Sequence, residues 1–260
     1  MAAAVAGCYL YPVKGMTPAP TDHLDVDAGG TARGDRAFVF AFADAELAPD
    51  GWVSKHEALT LVNTPELASI SAGYDAETRR LTLATPKQGE MCALVDDDSE
   101  RRALSDWLAD VVLGFEKSPL AERSSLLPLQ LLGNGVARFA DRHPKQVSLG
   151  AEESARELSE RAGREVELSR FRLNLTVRGL EPWEEFAWAG RQLTIGEAGL
   201  HVTARLIRCK AINASPAGTG RNLPLLDVLQ NEYGHLDFGV EAAVLRGGRI
   251  RSGDTIAVSD

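Results

Sequence analysis

The chain has 260 residues, 44% hydrophobic and 25% charged, with a formal net charge of −9. That composition suits one large or two modest soluble domains, and the negative balance argues against nucleic-acid and membrane-surface partners while leaving room for a local basic pocket that takes one small anion. Three widely spaced cysteines, Cys8, Cys92 and Cys209, make neither a C-x-x-C pair nor a zinc-type cluster, and no apolar run reaches membrane-helix length, so a cytoplasmic setting is expected.

In chain order, the first half reads as strands. The opening "MAAAVAGCYLYPVK" lacks the positive start of a signal peptide and runs straight into a strand pattern. "VAGCYLYPV" (5–13) and "RAFVFAFA" (36–43) are aromatic and β-branched runs bounded by Gly, Asp and Pro. "RRLTLAT" (79–85) and "CALVD" (92–96) read as hairpin arms around "PKQGE". A helix is expected over 98–112, with Leu104, Trp107, Leu108 and Val111 on one stripe. Residues 113–146, with Gly133, Gly135 and Pro144, look irregular, and a boundary there divides the chain into 1–118 and 119–260. A second helix over 150–164 closes at Gly163. Strands over 170–177 and 191–208, a short helix over 223–233 and strands within 238–258 complete the pattern. The fold class is mainly β with some α, in two barrel-like units.

Several residues carry candidate chemistry. Lys14 leaves a strand directly before Gly15, which suits an oxyanion because the backbone can approach closely while the ammonium neutralises charge. A solvated surface lysine is the plain alternative. Arg36 can grip phosphate through two N–H groups or simply pair with Asp35. In "SRFRLN" (169–174), a period-two strand puts Arg170, Arg172 and Asn174 on one face, a surface for a phosphate or pterin-like ligand, with a salt-bridged exterior as the alternative. Cys209 follows Arg208, whose charge favours the thiolate that binds soft metals, although strand neighbours point to opposite faces. Cys8 and Cys92, inside apolar runs, are assigned to the core. His235 and His56 read as structural, with His56 a candidate for a pocket border.

Taken in order, "YPVKGM", "GDRAFVF", "RFRLNLTV", the "RC" pair and "GHLDFGVEAAVLRGGRIRSGD" resemble the MOSC family with its N-terminal β-barrel partner domain, across roughly residues 5–258. The resemblance implies a MOSC-type β-barrel domain beside a smaller strand-rich N-terminal β-barrel domain. It also implies a molybdenum cofactor (Mo-molybdopterin), with Cys209 as metal ligand and catalytic residue. Lys14 and Arg36 would then hold the cofactor phosphate, and Arg172 and Asn174 would contact the cofactor. Arg170 joins that cofactor-binding set on the period-two argument, and Gly15 and Arg208 join it beside Lys14 and Cys209. The activity implied is reduction of N-hydroxylated compounds such as amidoximes and hydroxylaminopurines. Electrons are expected from a separate ferredoxin- or flavin-type protein. The alternative is a non-catalytic carrier of the cofactor or of a persulfide on Cys209. The chain departs from the family pattern at Gly15, where serine is common, at Leu173, where proline is common, and in "AINASP" after Cys209.

Overall fold

The computed structural model describes residues 2–137, 139–141 and 146–259, so Pro144 lies outside the described residues. The N-terminal strands are β1 (Ala4–Leu10), β2 (Ala19–Thr21), β3 (His23–Val26) and β4 (Phe38–Ala41). β5 (Ser71–Asp75), β6 (Arg80–Thr85) and β7 (Gly89–Leu94) form an antiparallel meander that contains the expected hairpin. α1 (Asp98–Leu113) begins where the Asp97 carboxylate accepts from the backbone N–H groups of Ser99 and Glu100. It buries Leu104, Leu108 and Val111, and Trp107 packs against the same core. α2 (Pro119–Glu122) and β8 (Gln130–Gly133) occupy the stretch expected to be irregular. β8 is too short to show a period of its own, and its antiparallel pairing with β4 defines it.

β9 (Val147–Ala151) leads into α3 (Glu152–Ala162), which ends at Gly163 with φ 64°, the left-handed cap that glycine favours. Then come β10 (Leu175–Arg178), β11 (Gln192–Ile195), β12 (Ala198–Ile207), α4 (Leu225–Tyr233), β13 (Asp237–Arg246), β14 (Gly248–Arg251) and β15 (Ile256–Ser259). One expectation is overturned here. Residues 168–171 form a single 3-10 turn, Arg172 adopts φ 53°, and the strand starts only at Leu175. Arg170, Arg172 and Asn174 therefore do not share a strand face. Tertiary bonds override the local β pattern. The Arg170 guanidinium turns inward onto Glu167 at 2.5 Å, the Ala214 carbonyl at 2.7 Å and the Asn222 side chain at 2.9 Å.

The fold is mainly β with four α-helices among the described residues. Its largest sheet runs β15-β11-β12-β13-β9-β10-β1-β2, antiparallel except for the β9–β10 pair. β3 pairs with β14 in a separate ribbon. Strands from the first 26 residues thus belong to the C-terminal sheets, and Val5, Leu24 and Val26 share a core with Leu149, Leu175 and Val240. A second core gathers Phe38, Phe40, Leu81, Leu104 and Leu131. A third lies beneath α3 and α4, around Leu158, Phe171, Leu225 and Phe238. No helix among the described residues is long and apolar enough to cross a membrane.

Candidate functional site

A cavity of about 400 Å³ opens where three distant parts of the chain meet. Lys14, Gly15 and Arg36 reach it from the first segment, Arg170, Arg172 and Asn174 from the middle, and Arg208 and Cys209 from the end of β12. All of the candidate cofactor-site residues line this one cleft. His56 is exposed and is not part of the lining, whereas its neighbour Lys55 is.

The first segment places a buried cation. The Lys14 backbone N–H donates to Phe38 O at 2.9 Å, which ties the chain exit to β4. Its buried ammonium lies 2.7 Å from the Asp141 carboxylate and 5.5 Å from the centre of the Trp52 ring. Gly15 follows at φ 90°, where a Cβ would stand 3.2 Å from the Thr60 Cα, so glycine suits this close loop–loop approach.

Arg36 and Arg172 converge on Tyr11. Their guanidinium carbons sit 4.5 Å and 4.3 Å from its ring centre, and both residues hold positive φ, 46° and 53°. Such backbone conformations cost of order 1 kcal/mol or more for a side-chain-bearing residue and persist where the surroundings fix them. The bonds that fix them are visible. Arg36 pairs with Asp35 and donates to the Arg172 carbonyl at 2.9 Å, while Arg172 donates to Met16 O at 2.5 Å. Tyr11 is fully buried, donates its backbone N–H to the Asp35 carboxylate at 3.0 Å and donates its hydroxyl to Leu173 O at 3.1 Å.

Asn174 and Arg170 build the walls. The Asn174 side-chain oxygen accepts from the Ser148 N–H at 3.2 Å and hydroxyl at 2.9 Å, and its amide donates to Tyr9 O at 3.4 Å. Arg208 donates to Phe238 O from two nitrogens, at 2.9 and 2.5 Å, and to Phe171 O at 2.7 Å. β12 ends at Ile207, so strand alternation no longer separates Arg208 from Cys209, and both face the cleft. Cys209 is half-buried and opens the turn at 210–213, accepting the Ile212 N–H at 3.2 Å.

Among the described residues the cleft gathers six cationic side chains against three carboxylates, Asp35, Asp141 and Glu241, in a protein of net charge −9. Burial lowers the pKa of Lys14 and pulls Arg172 down to about 10 and Arg208 to about 9, with Arg36 adding repulsion at both arginines. Both guanidiniums remain charged at neutral pH. Concentrating like charges this way is costly without an anion to offset it, and guanidinium forks match oxyanion geometry.

The other thiols divide. Cys8 is buried as expected, and burial pushes its pKa up to about 11. Cys92 is exposed, which corrects its assignment to the core. β7 is the outer strand of its sheet, and there Cys92 points outward, 3.8 Å from Arg80, while Ala93 points in. Tyr11, Lys55 and Asp141 were not singled out from sequence. Tyr11 stood within "YPVKGM", but nothing local marked its ring as a platform, and Asp141 carried no signal at all.

A mainly β protein with a cationic cleft and a half-buried thiol in its wall sets oxyanion-matching groups beside a soft donor. The MOSC N-terminal beta barrel domain family matches residues 2–112 and the MOSC domain family matches residues 136–257. The chain belongs to the MOSC family. Among solved structures, the YuaD protein from Bacillus subtilis is 14% identical with a TM-score of 0.47, over 99% of this chain and 96% of that one. YiiM from Geobacillus stearothermophilus is 24% identical (TM-score 0.35) and YiiM from Escherichia coli 21% (TM-score 0.33). Each of those matches covers 44% of this chain and 54% of the YiiM chain. No curated protein matches the chain.

Proposed function

We propose that the chain binds a molybdenum cofactor in this cleft and reduces N-hydroxylated compounds there. Electrons would come from a separate ferredoxin- or flavin-type protein, in the cytoplasm. The observation that carries the reading is the meeting of Cys209 with Lys14, Arg36 and Arg172 in one cavity. The donor chemistry fits such a group. A phosphate suits the cationic end, and the Cys209 thiolate is a soft ligand for a metal that brings its other ligands with it. Among the described residues no three His, Cys, Asp or Glu side chains gather as a metal site, so a metal here would rely on the cofactor's own ligands.

When bound, the cofactor supplies two-electron redox chemistry, and the protein supplies binding and orientation. Lys14 and Arg36 would hold the phosphate, and the Tyr11 ring would keep Arg36 and Arg172 aimed at the ligand. Arg208, tied to two carbonyls, would set the position of the residue after it, Cys209. Leu61, Val62 and Ile212 give the same cavity an apolar wall that would limit water around the substrate. Reducing an amidoxime to an amidine consumes two electrons and two protons and releases water, the protons coming from solvent.

A second reading is favoured by the accessibility of Cys209, which would also suit a persulfide or a cofactor held for transfer. One experiment separates the two. Wild type and Cys209→Ala are purified from a host that makes the cofactor, and molybdenum, oxidised-pterin fluorescence and benzamidoxime reduction with a chemical electron donor are measured. Wild type is expected to carry both metal and pterin and to turn over, with molybdenum lost in Cys209→Ala. Pterin without turnover leaves the cofactor carrier, a persulfide on Cys209 in a mass spectrum with neither metal nor pterin leaves the sulfur carrier, and absence of all three rules out both readings.

A further inference from the structure

We propose that Asp141 is an internal competitor for the anion that the cleft binds, its carboxylate holding the place on Lys14 that a ligand phosphate must take. The proposal rests on the phosphate reading of the cleft given above. The Asp141 carboxylate lies 2.7 Å from the Lys14 ammonium, and the two side chains differ sharply in exposure, 7% for Lys14 and 57% for Asp141.

Asp35, which pairs with the cleft cation Arg36, makes the contrast. Its side chain is 3% exposed and is fixed by the Tyr11 backbone N–H as well as by Arg36, so it belongs to the frame. Asp141 faces its ammonium partner, with Arg36 and Lys55 near, and also solvent, so its own carboxylate can turn out to water; the buried Lys14 ammonium it leaves then needs the incoming anion as its new partner.

The backbone before it is anchored. The Phe139 N–H donates to Arg36 O at 2.9 Å, and the Trp52 indole N–H donates to Ala140 O at 2.9 Å. These two bonds hold the Asp141 carboxylate beside the cleft at a high effective concentration. Single-charge anions such as acetate or chloride gain no more at Lys14 than Asp141 already supplies. A phosphate brings more charge and three acceptor oxygens, and the remaining cleft cations add to its side of the exchange. Asp141 thereby sets a threshold that a multiply charged oxyanion clears and a monoanion does not.

The full chain, produced in a host unable to make molybdopterin, is titrated with inorganic phosphate and followed by phosphorus-31 line broadening. The variants are Asp141→Asn, Glu241→Gln and Lys14→Met. Asp141→Asn is expected to bind phosphate about fivefold more tightly, as loss of a competing half-exposed ion pair would give. Glu241→Gln, which removes a cleft charge without touching Lys14, is expected to gain less than about twofold, and Lys14→Met to lose binding. Equal gains in Asp141→Asn and Glu241→Gln would reduce the effect to general field and overturn the proposal. Unchanged or weaker binding in Asp141→Asn, with Lys14→Met still defective, would overturn it too and leave the phosphate reading standing. No phosphate binding in any of the four proteins would end both.

Discussion

Two guanidiniums of like charge stay close only where something offsets the repulsion; in this cleft Asp35 pairs with Arg36, and the Tyr11 ring packs against both, its π face attracting a cation within about 6 Å. The ring and its hydroxyl have separable roles. Tyr11→Phe keeps the platform and loses the bond to Leu173 O, for a cost of about 1 kcal/mol in urea unfolding and near-normal phosphate binding. Tyr11→Leu removes the platform. It is expected to cost about 2–4 kcal/mol and to weaken phosphate binding about tenfold, because Arg36 and Arg172 lose their common support. Wild-type affinity in Tyr11→Leu would show that the backbone bonds alone aim the arginines. The thiols offer a second check. In the native protein a maleimide is expected to label exposed Cys92 first and Cys8 last, since Cys8 is buried and its thiolate disfavoured, which mass mapping of the labelled peptides reads directly. At this scale Lys14, Arg36, Arg172 and Cys209 were legible because their chemistry is intrinsic to the side chain. Tyr11 and Asp141 were not, because their roles depend on what they face.

Elements whose signals are local were legible, and those that answer to distant partners were not. α1 has its own capping aspartate, α3 its own terminal glycine, and the β6–β7 hairpin its own polar turn. The 170–174 segment alternates like a strand, yet the bonds of Arg170 to Glu167, Ala214 and Asn222 bend it into a turn. The start of α3 is a further case of remote control. Ala151 supplies no side-chain cap, and buried Glu185, from a later segment, accepts from the Ala151 N–H at 3.3 Å and the Ser154 hydroxyl at 2.8 Å. Burial raises the Glu185 pKa above the ordinary carboxylate value, with the helix-start donors opposing it. The folded state therefore holds this proton more tightly than the unfolded chain, and its contribution to stability falls as pH rises through the folded value. Glu185→Gln does not titrate. Urea unfolding at about pH 4.5 and pH 7 is expected to show wild type losing stability relative to Glu185→Gln as pH rises, and a gap that widens in wild type's favour would contradict the raised pKa.

On the scale of the whole molecule, the site exists because the chain's beginning is built into its end. β1 lies between β10 and β2 in the large sheet, β3 pairs with β14, and the Ile256 N–H donates to Ala3 O at 2.8 Å. Residues 4–26 then lead directly into the loop that delivers Arg36 beside Arg172. Composition and strand pattern do not reveal this threading, because long-range pairing leaves no local periodicity. A consequence follows for any division of the chain at 118/119. A piece comprising 119–260 would expose the β10 and β14 edges and the apolar side chains that Val5, Leu24 and Val26 cover. It is expected to aggregate or to unfold without a cooperative transition. The same piece with residues 2–34 attached after Asp260 through a flexible linker of about ten residues is expected to recover a cooperative urea transition, since the Ala3–Ile256 bond shows the two ends to be neighbours. Cooperative folding of 119–260 without the graft would mean that β1 and β3 dock on a finished domain instead of completing it. The cleft would then form only after that docking, and phosphate binding would depend on the N-terminal segment while stability did not.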